Sequence, residues 1–205
     1  MGLFFASLGW IVITYLLGAL PFGLFVAKAC KGIDPRMWGS GNTGATNVAR
    51  SCGPGYGILT FALDAGKGFV PLLVAMAMSD SGLFLFLTAL AALLGHMYSV
   101  FLNWKGGKGV ATYIGIFAAL SPGPLFWALI LCLLLIWITG YVSLGSLGLV
   151  TVLPVFVLFT GQFIFFLLGI LALFLIYSRH KENILRLARG QENPWSRKKF
   201  LQAEQ

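Results

Sequence analysis

From Gly109 to Ser178 the chain runs for 70 residues without one Asp, Glu, Lys or Arg. A soluble domain is roughly a quarter charged residues. Of this chain's 205 residues 10% are charged and 59% apolar, and the mean hydropathy is +0.90. Such a chain cannot cover its own surface with polar groups, so lipid is its solvent. It reads as an all-α, polytopic integral membrane protein.

Each crossing needs roughly 20 apolar residues, with about 17 as a working minimum. The first candidate is Leu3–Ala27. No basic stretch precedes it, and it is longer than the roughly 7–15 apolar residues of a signal peptide. Residues 54–101 have room for two spans, turning at Ser79–Gly82. In the uncharged run, three spans would put Lys105 and Arg179 on opposite sides, and two would strand about 30 apolar residues outside lipid. Four fit, separated near Ser121–Pro124, Gly140 and Thr160–Gln162. The expectation is therefore seven transmembrane helices in one domain over residues 1–205, N-terminus outside and C-terminus cytoplasmic. A re-entrant segment over residues 110–124, with six or eight spans, is the alternative.

The charges support this arrangement. Lys28, Lys31, Arg36 and Arg50 follow the first span, Lys105 and Lys108 share a second loop, and seven more cations lie beyond residue 178, leaving only Lys67 elsewhere. In a soluble protein a net charge of +8 would suggest nucleic acid. Here it follows the excess of cations in cytoplasmic loops, and no nucleic-acid partner is expected. Cys30, Cys52 and Cys132 show no metal-ligand spacing. Cys30 and Cys52, flanking a cytosolic loop, are expected to be reduced.

Three polar stretches stand out. Residues 39–44, GSGNTG, have the spacing of a dinucleotide fingerprint, and Asp64 sits where a ribose-binding acid would. That fold needs a buried strand before the turn, and KGIDPRMW, with a proline and three charges, is no strand. Extended to Arg50, the stretch offers Ser40, Gly41, Asn42, Thr46 and Asn47. Glycines let backbone N–H groups converge on an anion, hydroxyls and amides add neutral hydrogen bonds, and arginine adds a bidentate clamp. The plainer reading is a loop in which Asn47 or Thr46 caps the next helix.

The second stretch, WKGGKGVAT, resembles a P-loop only in flavour, since Lys108 is followed by Gly109 and not by Ser or Thr. It leaves a turn of Gly106, Gly107 and Gly109 presenting Lys108 at a helix start, a phosphate-type site; the plainer reading is two lysines anchoring a helix end. The third, HKENILRLARGQEN, places His180, Asn183 and Arg186 or Leu187 on one helical face, or is an amphipathic tail on anionic lipid. Asp64 and Lys67, three apart within a span, are expected to pair with each other. His96 is as much a packing residue as a ligand. No carboxylate pair, zinc-ligand set or acid cluster for magnesium is apparent, so no metal and no cofactor are expected. The stretches point to phosphate-bearing molecules.

SGNTGATNVAR, GGKGVAT and HKENILRLARGQE together resemble the three signature motifs of the bacterial acyl-phosphate:glycerol-3-phosphate acyltransferases. GALPFGLFVAK, GILTFALDAGKG and LGHMYSVFL extend the likeness over nearly the whole chain, with Ser99 standing where the family usually has proline. The resemblance implies acyl transfer from acyl phosphate to the 1-hydroxyl of sn-glycerol 3-phosphate at the cytoplasmic face of the cell inner membrane. The products would be lysophosphatidic acid and phosphate, the first step of phospholipid synthesis, with no thioester donor. On this reading Arg50 and Lys108 bind substrate phosphates. Ser40, Asn42, Thr46, Asn47 and the glycine N–H groups of both loops, those of Gly41, Gly106, Gly107 and Gly109 among them, hold the donor phosphate and polarise its carbonyl. His180 and Asn183 orient glycerol 3-phosphate. Either His180 or a substrate phosphate takes the hydroxyl proton, and Ser40 as a covalent nucleophile is disfavoured because no base adjoins it. Membrane lipid is the surrounding partner; oligomeric state is open, a monomer being sufficient. A carrier for a phosphorylated metabolite is the competing class and a lipid phosphatase a weaker one.

Overall fold

A computed structural model of the chain describes residues 2–195, with side chains from Phe5 onward. The cations at positions 197–199 of the C-terminal cluster lie outside the described residues. Among those described, the structure is helical: α1 (Gly2–Ala19), α2 (Phe22–Lys31), α3 (Ala45–Cys52), α4 (Pro54–Met78), α5 (Gly82–Met97), α6 (Val110–Leu120), α7 (Pro122–Thr139), α8 (Val142–Leu158), α9 (Phe163–Arg179) and α10 (Lys181–Ala188), with 3₁₀ turns at Pro35–Met37 and Val100–Leu102.

Phe5–Lys31, Pro54–Met78, Gly82–Leu102 and Pro122–Thr139 are long and apolar enough to cross a bilayer. A fifth candidate is α9 with α10, bent by 67° at His180. This is an all-helical, polytopic membrane protein with four to five candidate spans. The other apolar helices, α6 with 11 residues and α8 with 17, are shorter. The uncharged run does divide where its prolines and glycines suggested. Pro122 opens α7, Gly140 closes it in a left-handed conformation (φ 79°), and residues 159–162 separate α8 from α9.

The first span is not the uninterrupted Leu3–Ala27 expected. It breaks at Leu20–Pro21, because proline has no N–H to continue the ladder. Carbonyls freed inside a membrane protein must find donors elsewhere. Here Ser99 Oγ donates to the Ala19 carbonyl at 2.6 Å and Lys67 Nζ to the Leu20 carbonyl at 2.8 Å. Ser99 keeps a φ of −67°, which proline would also adopt; the serine adds a donor.

The helices gather into two compact units, Met1–Leu120 and Ser121–Gln205. In the first, α1 packs along α5 and α4 along α6. Small residues allow the close approach that membrane helices use in place of a hydrophobic drive. A methyl on Gly95 would sit 2.9 Å from the Ala19 nitrogen, and one on Gly115 would overlap the Ala65 carbonyl. In the second, α8 packs against both α7 and α9, with Gly169 of α9 against the ring of Pro154.

Candidate functional site

The first polar stretch forms the loop between the Pro35–Met37 turn and α3. The turn before it is capped by Asp34, whose carboxylate accepts from the backbone N–H of Arg36 at 3.0 Å and pairs with its guanidinium at 2.6 Å. Hydrogen bonding from the Arg36 side chain holds that carboxyl down at about 2. Gly39 and Gly41 turn the chain with φ of 57° and 65°, a region closed to most residues. Asn47, in the first turn of α3, is the loop's hub. Its Nδ2 donates to the carbonyls of Pro35, Trp38 and Asn42 at 2.7, 3.0 and 2.8 Å, and its Oδ1 accepts from the N–H of Ser40 at 2.9 Å. Asn42 Oδ1 caps the N–H of Gly44 at 2.8 Å, and Gly41 N–H donates to Trp38 O at 3.0 Å.

The Asn47 amide, the Asn42 carboxamide oxygen and the Gly41 N–H thus take part in building the loop itself. Ser40 and Thr46 are half-buried and Arg50, one turn beyond Asn47 on α3, is exposed.

The second loop joins α5 to α6. Gly106 and Gly107 do not offer their N–H groups to an anion: the first donates to Met97 O at 3.1 Å and the second to His96 O at 3.0 Å, fastening the loop to the end of α5. Methyls here would overlap the His96 carbonyl and the His96 imidazole respectively. The glycines are there for contact with α5. Gly109, at φ 92° and against Leu93 and Met97, completes the turn. Between them Lys108 is half-buried, two residues before α6.

In the second unit His180 forms the junction of α9 and α10 and is 3% exposed. Its Nδ1 lies 2.8 Å from the carbonyl of Ile176. A carbonyl only accepts, so the proton of the neutral ring is on Nδ1 and the lone pair on Nε2. Gly190, at φ 66°, turns the chain after α10, and Glu192 comes back beneath it. One Glu192 oxygen accepts from Asn183 Nδ2 at 2.6 Å and Ser143 Oγ at 2.9 Å; the other accepts from Arg186 Nε at 2.8 Å. Asn183 and Arg186 thus meet on one side of α10, held by an acid that had been given no role, while His180 stands at the N-cap of the helix. The signal was an acid, one of only six in the chain, within a basic tail.

Inside the first unit Asp64, Lys67 and His96 are 2%, 7% and 7% exposed. Lys67 Nζ pairs with Asp64 Oδ1 at 2.8 Å, as their spacing suggested, and His96 Nδ1 lies 3.6 Å from the same oxygen. Asp64 is therefore no ribose ligand. A narrow cavity is lined by these three with Ser99, Thr43 of the first loop and Gly107 of the second, so both glycine loops reach one buried cluster. Among the described residues no three His, Cys, Asp or Glu side chains group as metal ligands would. An open surface groove of the second unit, about 590 Å³ between Trp127, Leu134, Phe156 and Phe159, is apolar and suits hydrocarbon.

The family model of glycerol-3-phosphate acyltransferase matches residues 8–190. A glycerol-3-phosphate acyltransferase of Nitratidesulfovibrio vulgaris is 52% identical over 94% of this chain, which spans 59% of that relative. One of Solidesulfovibrio magneticus is 51% identical over 93% of this chain and 96% of its own. Among solved structures, the glycerol 3-phosphate form of PlsY (YgiH), an integral membrane glycerol 3-phosphate acyltransferase, is 41% identical with a TM-score of 0.90, covering 96% of this chain and 98% of that one. Its lysophosphatidic acid form gives 0.86 over 92% and 95%. A helical membrane chain with these three polar stretches, matched nearly end to end, belongs to the glycerol-3-phosphate acyltransferase family.

Proposed function

We propose that this enzyme transfers a fatty acyl group from acyl phosphate to the 1-hydroxyl of sn-glycerol 3-phosphate. The hydroxyl oxygen attacks the acyl carbon, the bond to the phosphate oxygen breaks, and lysophosphatidic acid and inorganic phosphate leave. An acyl phosphate is a mixed anhydride, already activated, so positioning and charge stabilisation supply most of the acceleration. The observation that carries this reading is the near full-length likeness to a structure in its glycerol 3-phosphate form.

In this proposal Arg50 and Lys108 bind substrate phosphates and offset charge as phosphate departs. Ser40 and Thr46 donate to the same anion, with Gly109 freeing the turn that presents Lys108. Asn42, Asn47, Gly41, Gly106 and Gly107 hold the loops in shape. His180 and Asn183 orient glycerol 3-phosphate, Asn183 being itself oriented by Glu192. The hydroxyl proton goes to His180 Nε2 or to a substrate phosphate oxygen. The family match runs through both compact units, and we take residues 1–205 as one acyltransferase domain. It crosses the inner membrane seven times, with its basic loops and chemistry on the cytoplasmic face.

The test uses purified protein in detergent with glycerol 3-phosphate, palmitoyl phosphate and a chelator, with palmitoyl-CoA as the control donor. Phosphate and lysophosphatidate should appear in equal amounts from acyl phosphate alone; turnover only with the thioester would overturn the proposed donor. His180→Gln, run beside it, assigns the proton. If His180 is the base, the rate falls by about 10²–10⁴. Activity within tenfold of the parent would hand the proton to the substrate phosphate.

A further inference from the structure

We propose that the buried Asp64–Lys67–His96 cluster is the positioning centre of the Lys108 loop, with His96 as the side chain that sets it. The inference rests on the reading of Lys108 as a phosphate ligand, and it gives work to groups that reading leaves unused.

Three ionisable side chains inside a membrane protein are expensive to keep there, even paired. Apolar residues of similar volume would often join α4 to α5 at lower cost. Their contacts, however, run in one line. Lys67 Nζ holds the Leu20 carbonyl freed by the Pro21 break and pairs with Asp64. Asp64 faces Nδ1 of His96, and its own backbone carbonyl accepts from Thr112 Oγ1 of α6 at 2.9 Å. The other edge of the imidazole, with Nε2, Cε1 and Cδ2, lies where a side chain on Gly107 would be. Gly107 also bonds to the His96 carbonyl, and the next residue is Lys108. The ring is thus a spacer between a fixed ion pair and the backbone that carries the lysine. Gly107 has no left-handed φ. The three atoms that a methyl here would meet most closely all belong to the His96 ring.

That geometry predicts a specific coupling. Gly107→Ala pushes the loop off the ring, and a displacement near 1 Å at a binding residue reduces activity by about 10²-fold. His96→Ala removes the spacer and lowers activity by itself. In the double variant the new methyl has room, so Gly107→Ala should cost less than about twofold further, a coupling of roughly tenfold or more. The measurement is kcat and KM for glycerol 3-phosphate, per folded enzyme by thermal unfolding in detergent, for the parent, both single variants and the double. Should His96→Ala not yield folded protein, His96→Asn also vacates the ring position and serves in its place. Multiplicative losses, with Gly107→Ala equally harmful in both backgrounds, would overturn the proposal. So would a His96 variant whose loss lies wholly in unfolding temperature, with kcat and KM of the folded fraction unchanged. Failure of the underlying reading looks different: Lys108→Met would keep parental kcat/KM whatever the cycle shows.

Discussion

Asn47 shows how one side chain can be read as a ligand and turn out to be a frame. Its two N–H groups face three backbone carbonyls, and its oxygen takes the Ser40 N–H. Asn47→Asp keeps the shape and replaces the donors by a carboxylate against those carbonyls. Each buried group left unsatisfied costs roughly 1–3 kcal/mol, so the unfolding temperature should drop, and kcat/KM should fall about 10²-fold as the loop before Arg50 loses its form. Unchanged stability with only a raised KM would make Asn47 a direct substrate ligand after all. The sequence marks this stretch as polar and turning, since glycine, serine and asparagine side by side have few other uses. It does not say which polar atoms face inward. Asn47 finds its partners between 5 and 12 residues back along the chain, where no local period reaches. Gly106 and Gly107 misled for the same reason: flexibility and closeness are both written as glycine, and only the position of His96 tells them apart.

At the scale of helices, α10 depends on a residue outside it. Glu192 collects Ser143 from the start of α8 with Asn183 and Arg186 from α10, tying a helix of eight residues that would be marginal alone. Glu192→Ala leaves these donors without that acceptor, at roughly 1–3 kcal/mol for each buried one. Backbone amides of residues 181–188 should then exchange hydrogen markedly faster, with activity lost because Asn183 is no longer held. Glu192→Gln should fall between, keeping an acceptor and losing the charge opposite Arg186. Exchange at the parental rate in the alanine variant would mean α10 is held by something else. The helix breaks near residues 121, 140 and 160 were legible because proline, glycine and polar residues cluster there, whereas the lone Pro71 and Pro154 stay inside α4 and α8. The break at Pro21 was not, because a membrane helix can carry proline unbroken when neighbours satisfy its carbonyls. The groups that do so here, Lys67 and Ser99, lie 47 and 80 residues from their acceptors.

For the whole molecule, composition alone fixed lipid as solvent, and family membership removes the carrier and phosphatase readings. The number of crossings turns on α6, whose 11 residues rise only about 16 Å against a hydrocarbon core of about 30 Å. Length argues against α6 as a crossing, charge argues for it. If α6 does not cross, α7, α8 and α9 are three crossings, and the Lys105–Lys108 loop faces the opposite side from the cations after Arg179. Basic loops on both faces would defeat the bias that orients membrane proteins, and lipid thins around short helices at fractions of a kcal/mol per Å. On these grounds we propose that α6 crosses. With Cys30, Cys52 and Cys132 replaced by alanine, single cysteines at Asp80, Lys105 and Lys181, all exposed, report the sides to a membrane-impermeant maleimide. In intact spheroplasts Asp80→Cys should react at once, and Lys105→Cys and Lys181→Cys only after the membrane is opened. Labelling of Lys105→Cys and Lys181→Cys from opposite faces would reduce the crossings to six and make α6 a re-entrant helix. In that case Lys108 and the His180–Asn183 pair could not serve one reaction, and the proposed mechanism would fall with the topology.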